Sequence, residues 1–130
     1  MRANDFGRLI RGITANMNSY IGFKIEKYGI KQGQLEYFLL IYNAPGINQL
    51  EIGRLKQVGK ASVTKAIKIL EDDGFIKRVA DENDRRNTLC YVTDKGENIV
   101  NDLLGVTINV EQDMFKDFTH EDKTILFNYL

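Results

Sequence analysis

A chain of 130 residues with 43% hydrophobic content and one proline holds one compact domain, or one domain plus long helices used for pairing, and is not a disordered chain. Its 18 basic residues balance its 18 acidic ones, which argues against a nonspecific polyanion binder. Its one cysteine, Cys90, excludes an internal disulfide, and no apolar run reaches the roughly 18 residues of a membrane span. Met1-Arg2-Ala3-Asn4-Asp5 leads into no uninterrupted apolar signal core, so a soluble, cytoplasmic protein with no membrane partner is expected.

Residues 4–28 carry Phe6, Leu9, Ile10, Ile13, Met17, Tyr20, Ile21 and Ile25 in a 3-and-4 rhythm that predicts one long helix. Such a helix exceeds the usual length, so part of its stripe is expected to meet a partner helix from another chain; an intramolecular core helix is the alternative. Gly29 and Gly33 bracket a break. Residues 34–43 then form a second helix, and Leu35, Tyr37, Phe38, Leu39, Leu40, Ile41 and Tyr42 make it apolar nearly all round, as a central buried helix requires.

Ala44-Pro45-Gly46 is turn chemistry. Asn48 caps a short helix over 49–57, with Glu51 completing a capping-box-like pattern and Ile52 and Leu55 facing inward. After a turn at Val58-Gly59, the helix over 60–73 places Val63, Ile67 and Leu70 on one stripe with Ala66 beside it. Ala61, Lys65 and Lys68 fall on the opposite face, flanked by Ser62 and Thr64. Two short helices joined by a tight turn, the second basic on its free face, make a helix-turn-helix.

Gly74 ends that helix, and 75–79 and 88–92 follow as β-rich runs joined by a charged tip, residues 80–87. A helix followed by a hairpin with a charged tip is a shape that grips DNA twice, in a groove and beside it. Charge is distributed to match: residues 54–86 hold nine basic against six acidic residues, whereas 87–130 hold three against eight. Thr93 or Asp94 caps a second long helix that keeps its apolar spacing to about 118, and Thr119 with Asp122 starts a last one. That final helix ends on Ile125, Leu126, Tyr129 and Leu130, apolar enough to need something to pack on.

An enzyme is not expected. The lone histidine, His120, lies in a capping segment; no phosphate-cradling glycine motif or nucleophile elbow is present; and Glu71, Asp72 and Asp73 are consecutive, so they do not converge as an acid–base pair. No cofactor and no metal are implied. Cys90 reads as an inert half-buried thiol, with an oxidant sensor as the other reading.

The element order, with Ser62-Val63-Thr64-Lys65, Leu70-Glu71-Asp72-Asp73-Gly74-Phe75-Ile76, Asp84-Arg85-Arg86-Asn87 and Val92-Thr93-Asp94-Lys95-Gly96, resembles the MarR (multiple antibiotic resistance regulator) family over nearly the whole chain. The resemblance implies a mainly α fold with a small β-hairpin wing, a winged helix-turn-helix in a single domain, 1–130. Within it, 1–30 and 94–130 would be dimerisation helices and 34–93 a DNA-binding lobe, with the helix-turn-helix at about 48–74 and the wing at 75–93. It further implies a homodimer that reads a palindromic double-stranded DNA operator.

By matching positions, Gln49, Lys60, Ala61, Ser62, Thr64, Lys65 and Lys68 would face the major groove or its phosphates. Arg86 would reach the flanking minor groove, with Arg85 beside it and Asp84 holding the wing arginines. Relatives also bind small aromatic effectors, for which Tyr20, Tyr37 and Phe38 are candidates, packing being the plainer role. Two positions depart from the family pattern. Lys56 stands where an apolar residue is usual, so that Leu55 is expected to take over its packing, and Ile69 is expected under the wing. The competing function is a winged-helix module that binds protein rather than DNA, whose mark would be an apolar or acidic free face on the second helix.

Overall fold

The computed structural model describes residues 3–130, so the first two residues of the segment 1–30 lie outside it. Six α-helices and a three-stranded sheet follow in the order α1 (Ala3–Ile25), α2 (Gln32–Asn43), β1 (Ile47–Asn48), α3 (Gln49–Lys56), α4 (Lys60–Asp72), β2 (Ile76–Ala80), β3 (Thr88–Val92), α5 (Asp94–Met114) and α6 (His120–Tyr129). A 3-10 turn, Glu26–Tyr28, closes α1, and Gly29 ends it at φ +79°. The mainly helical fold with a hairpin wing is therefore as expected, with three differences of detail.

Gly33 lies inside the first turn of α2 rather than in the break. The wing hairpin gains a third strand, β1, antiparallel to β3 through Ile47↔Cys90 and Asn48↔Leu89; two residues are too few to leave a β-pattern in the sequence. The second long helix stops at Met114, not near 118. Phe115 and Phe118 keep helical spacing but pack edge-on, at 5.1 Å, and Phe115 meets Phe127 of α6 at 5.5 Å. Their apolar character thus serves a turn-borne aromatic cluster rather than a longer helix.

The core lies where α2, α3 and α4 meet the sheet and the start of α5. Phe38, Ile41, Ile52, Ile67, Leu70, Phe75, Ile76 and Leu103 are all fully buried or nearly so. Phe38 and Phe75 pack edge to face at 6.2 Å. Burying a side chain of this kind contributes about 1.5 to 3 kcal/mol, so this cluster, more than any surface ion pair, holds the lobe together. α1 packs on α2 and on α5, joining the chain's two ends.

α3 corrects the reading of its inner face. Ile52 is fully buried as expected, but Leu55 is 48% exposed. Lys56 fills the inward position instead: its ammonium bonds Glu36 at 2.6 Å and lies 4.6 Å from the Tyr37 ring centroid. A lysine does this by laying its four-carbon stem against apolar surface while its charged head reaches a partner at the edge. The capping box at Asn48 is also half made. The Asn48 side chain accepts from the Glu51 N–H at 2.8 Å, but the Glu51 carboxylate turns to Arg54, whose hydrogen bond holds that carboxyl below its usual range. At the other end of α3, Gln57 takes the left-handed position at φ 56°, while Gly59 is extended and serves as the N-cap of α4.

Cys90, at the centre of the sheet, is fully buried rather than half-buried, and burial pushes its thiol up to about 11 against the opposing pull of Arg78. A folded pKa above the ordinary 9.0 means that the folded chain holds this proton more tightly. The associated stability is intact below pH 9 and is lost as pH rises toward 11, by about 2 to 3 kcal/mol in the limit. Urea midpoints should therefore fall across that interval and fall less in Cys90→Ala, while iodoacetamide at pH 8 should label native protein far more slowly than unfolded protein. Equal labelling of the two forms would contradict the burial.

Candidate nucleic-acid interface

α4 is divided as its sequence predicts. Val63, Ala66, Ile67 and Leu70 are buried, while Lys60, Ala61, Ser62, Thr64, Lys65 and Lys68 are all exposed. The 3.6-residue repeat converts that spacing into one buried stripe and one free face of cations, hydroxyls and a methyl group. Ile69, expected under the wing, is half-buried. Gln49 of α3 joins this face, its amide donating to the Thr64 hydroxyl at 3.3 Å.

The C-terminus of α4 is fastened three times. Gly74, at φ +83°, donates to the Glu71 carbonyl, and Phe75 N–H donates to the Leu70 carbonyl, both at 3.0 Å, the pair of bonds of a Schellman motif. The Lys95 ammonium donates to the Asp73 carbonyl at 2.6 Å and sits 4.7 Å from the Phe75 ring centroid. A cation at this end also complements the helix dipole. The Thr93 hydroxyl, finally, donates to the Gly74 carbonyl at 2.6 Å and accepts from Gly96 N–H at 3.2 Å, so one side chain ends α4 and caps α5.

The wing runs in register from Ile76↔Val92 to Ala80↔Thr88. Two of its acidic residues, Asp81 and Asp84, fold its tip. Asp81 accepts from Asn83 N–H at 2.9 Å and from the Asn87 amide at 3.3 Å, and Asp84 accepts from Arg86 N–H at 3.1 Å. These carboxylates replace missing ladder partners, as Asx turns do, and leave the arginine side chains outside. Arg86 is 95% exposed with its Nε 3.6 Å from Asp84, and Arg85 is exposed beside it.

Ion pairs sort the basic residues into two groups. Arg54 is held by Glu51, Lys68 by Asp72 at 3.2 Å, and Arg78 by Glu71 at 2.7 Å. Among the described residues, Lys60, Lys65, Lys77 and Arg85 make no ion pair within 4.0 Å. Sequence reasoning counted Arg78 as one basic residue among nine and gave Glu71 and Lys95 no role in placing α4. Neither pairing leaves a helical or strand periodicity, because each crosses from one element to another.

The candidate effector residues are separated by role. Tyr37 and Phe38 are buried in the core, against Lys56 and Phe75 respectively. Tyr20 lies on α1, its hydroxyl donating to Asp113 of α5 at 3.3 Å, and lines a groove of about 300 Å³ with Lys24, Val106, Asn109, Val110, Gln112 and Asp113. His120 is exposed at the start of α6, next to a capping box made by Thr119 and Asp122. Among the described residues, no helix is long and apolar enough to cross a membrane.

A family model described as MarR matches residues 30–88, from the break before α2 into β3. The chain is 30% identical over 115 residues to the HTH-type transcriptional regulator YdgJ of Bacillus subtilis, itself uncharacterised, with 88% of this chain and 70% of that protein covered. It belongs to the MarR family. A MarR transcriptional regulator from Methanosarcina mazei Go1 superposes with a TM-score of 0.89 at 29% identity, over 97% of this chain and 91% of that one. A mutant MarR from E. coli complexed with operator DNA shares the fold, with a TM-score of 0.88 at 21% identity over 96% and 90% of the two chains. The MarR-family relatives are transcriptional regulators rather than enzymes, and the helix-turn-helix and wing of this MarR-family regulator sit within or beside the matched span.

Proposed function

We propose that this MarR-family regulator binds a palindromic double-stranded DNA operator as a homodimer, α4 entering the major groove and the wing lying along the flanking minor groove. The observation that carries this reading is the free face of α4. Lys60, Ser62, Thr64 and Lys65 stand exposed on a helix whose other side is sealed into the core, and exposed Arg85 and Arg86 cap the adjoining hairpin. Lys65 donates to base edges, Lys60 and Lys68 meet phosphate, and Gln49 braces Thr64. Ala61 offers a methyl to thymine. Arg86 enters the minor groove, presented by Asp84.

In this assignment residues 34–93 form the DNA-binding lobe, and 1–30 with 94–130 form the dimerisation unit. Phe6 is 59% exposed, Ile13 50% and Phe118 45%, and the last helix leaves Ile125 49% and Leu130 79% exposed. A set of large apolar side chains at both ends of one chain fits mutual burial between two copies better than open solvent. A small aromatic effector fits the groove beside Tyr20 better than the packed Tyr37 and Phe38. The free face is cationic and hydroxylic, which disfavours the protein-binding alternative.

Selection of bound sequences from random duplexes should recover an inverted repeat whose half-sites lie about one helical turn apart. The same selection with Lys65→Ala should relax preference at one position per half-site. Recovery of no preferred sequence would reject the reading. In sedimentation at micromolar concentration the protein should run as a dimer, and a monomer would remove the pairing of the two long-helix ends.

A further inference from the structure

Glu71 and Arg78 form the one described ion pair between the recognition helix and the wing, and its geometry is specific. Arg78 Nε donates to Glu71 Oε2 at 3.0 Å and its terminal nitrogen to Oε1 at 2.7 Å, a two-bond fork between planar groups. The side chains are only 31% and 34% exposed, and the pair holds the Glu71 carboxyl below its usual range and raises Arg78. Glu71 belongs to the last turn of α4, and Arg78 to the middle of β2, opposite Cys90 in the central strand.

Past Ile76 no residue of β2 is buried, so the outer strand of the wing has no core packing of its own on that edge. From Arg78 the hairpin continues outward at about 3.3 Å per residue to the tip that carries Arg86. A small tilt at the root is therefore magnified at the arginine. Main-chain pairing to β1 steadies β3 on the far edge, and buried Ile76 anchors the root of β2 in the core; beyond that root, among the described residues, the Glu71–Arg78 fork is the ion pair that ties the wing to α4.

Resting on the reading of this chain as a DNA-binding regulator, we propose that Glu71 and Arg78 are positioning residues that set the wing against the recognition helix, so that Arg86 and Lys65 engage one duplex at the same time. The sign of the effect separates this role from plain electrostatics. Removing a carboxylate beside a polyanion site should tighten binding. Loss of wing placement should weaken it.

The test is a double-mutant cycle on a duplex recovered by selection, with Glu71→Gln, Arg86→Ala and the pair, and with Arg78→Lys as a second lesion that keeps the charge but loses the fork. Glu71→Gln and Arg78→Lys should each weaken binding by about fivefold, and in either background Arg86→Ala should cost less than about threefold instead of about tenfold. Melting temperatures, read alongside, establish that each variant is folded. A stability role alone would lower the melting temperature and leave the cost of Arg86→Ala unchanged. An equal cost in all backgrounds, or tighter binding by Glu71→Gln, overturns the positioning role while leaving DNA binding intact. Failure of the parent protein to bind any selected duplex overturns both.

Discussion

Gly96→Ala should lower the melting temperature by about 8 °C or more at matched protein concentration. A Cβ at Gly96 would stand 2.5 Å from the Phe75 carbonyl oxygen, 2.6 Å from Val92 Cγ1 and 3.0 Å from Phe38 Cε2. The first neighbour is backbone, in a carbonyl that already accepts from Thr93 N–H at 3.0 Å, so it cannot yield without loosening the joint between α4 and α5. Overpacking of this kind costs about 3 kcal/mol, and the better helix propensity of alanine, about 1 kcal/mol, offsets only part of it. Gly105 is the control within the same helix, since a Cβ there meets nothing within 4 Å. Gly105→Ala should leave the melting temperature unchanged or raise it. An unshifted transition for Gly96→Ala would mean that α5 does not lie this close to the strand bearing Val92.

Arg86→Ala should weaken operator binding at least tenfold, about 1.4 kcal/mol, with little change in melting temperature. The two halves of that expectation come from one observation. A side chain 95% exposed, with a single carboxylate contact at 3.6 Å, contributes little to folding, so its removal reports on the duplex alone. The backbone bond from Arg86 N–H to Asp84 survives the substitution, which keeps the tip folded. Asp84→Ala is the companion variant: it spares the guanidinium and removes the turn. Fluorescence anisotropy on the selected duplex measures both. Unaltered affinity for Arg86→Ala would take the wing out of the mechanism.

What the sequence disclosed and what it hid divide along physical lines. The faces of α4 were legible because one strict repeat, Val63, Ile67 and Leu70, decides which side is sealed, and every remaining position follows. The reading of α3 failed at Leu55 and Lys56 because hydropathy ranks leucine as the buried one, whereas burial goes atom by atom and a lysine stem packs while its ammonium finds Glu36. The end of α5 was misplaced because Phe115 and Phe118 satisfy helical spacing and an aromatic cluster equally well. The Glu71–Arg78 fork joins a helix to a strand across a turn, and a pairing between two elements leaves no mark in the period of either. Asp84 was expected to hold the wing arginines, but Asp81 entered only the balance of charges; both carboxylates fold the tip by accepting from its backbone, and a tally of charges cannot show that.

The double duty of the Thr93 hydroxyl has a mechanical corollary. With Thr93 bonded to Gly74 on one side and to Gly96 on the other, and Lys95 seated on the Asp73 carbonyl, the corner where α4 hands over to α5 is without slack. A tilt of α5 would strain the bonds from Thr93 and Lys95 to the end of α4. In the homodimer proposed above, the gauge between the two α4 helices would then be governed at the seam of long helices, far from the proposed contacts with bases.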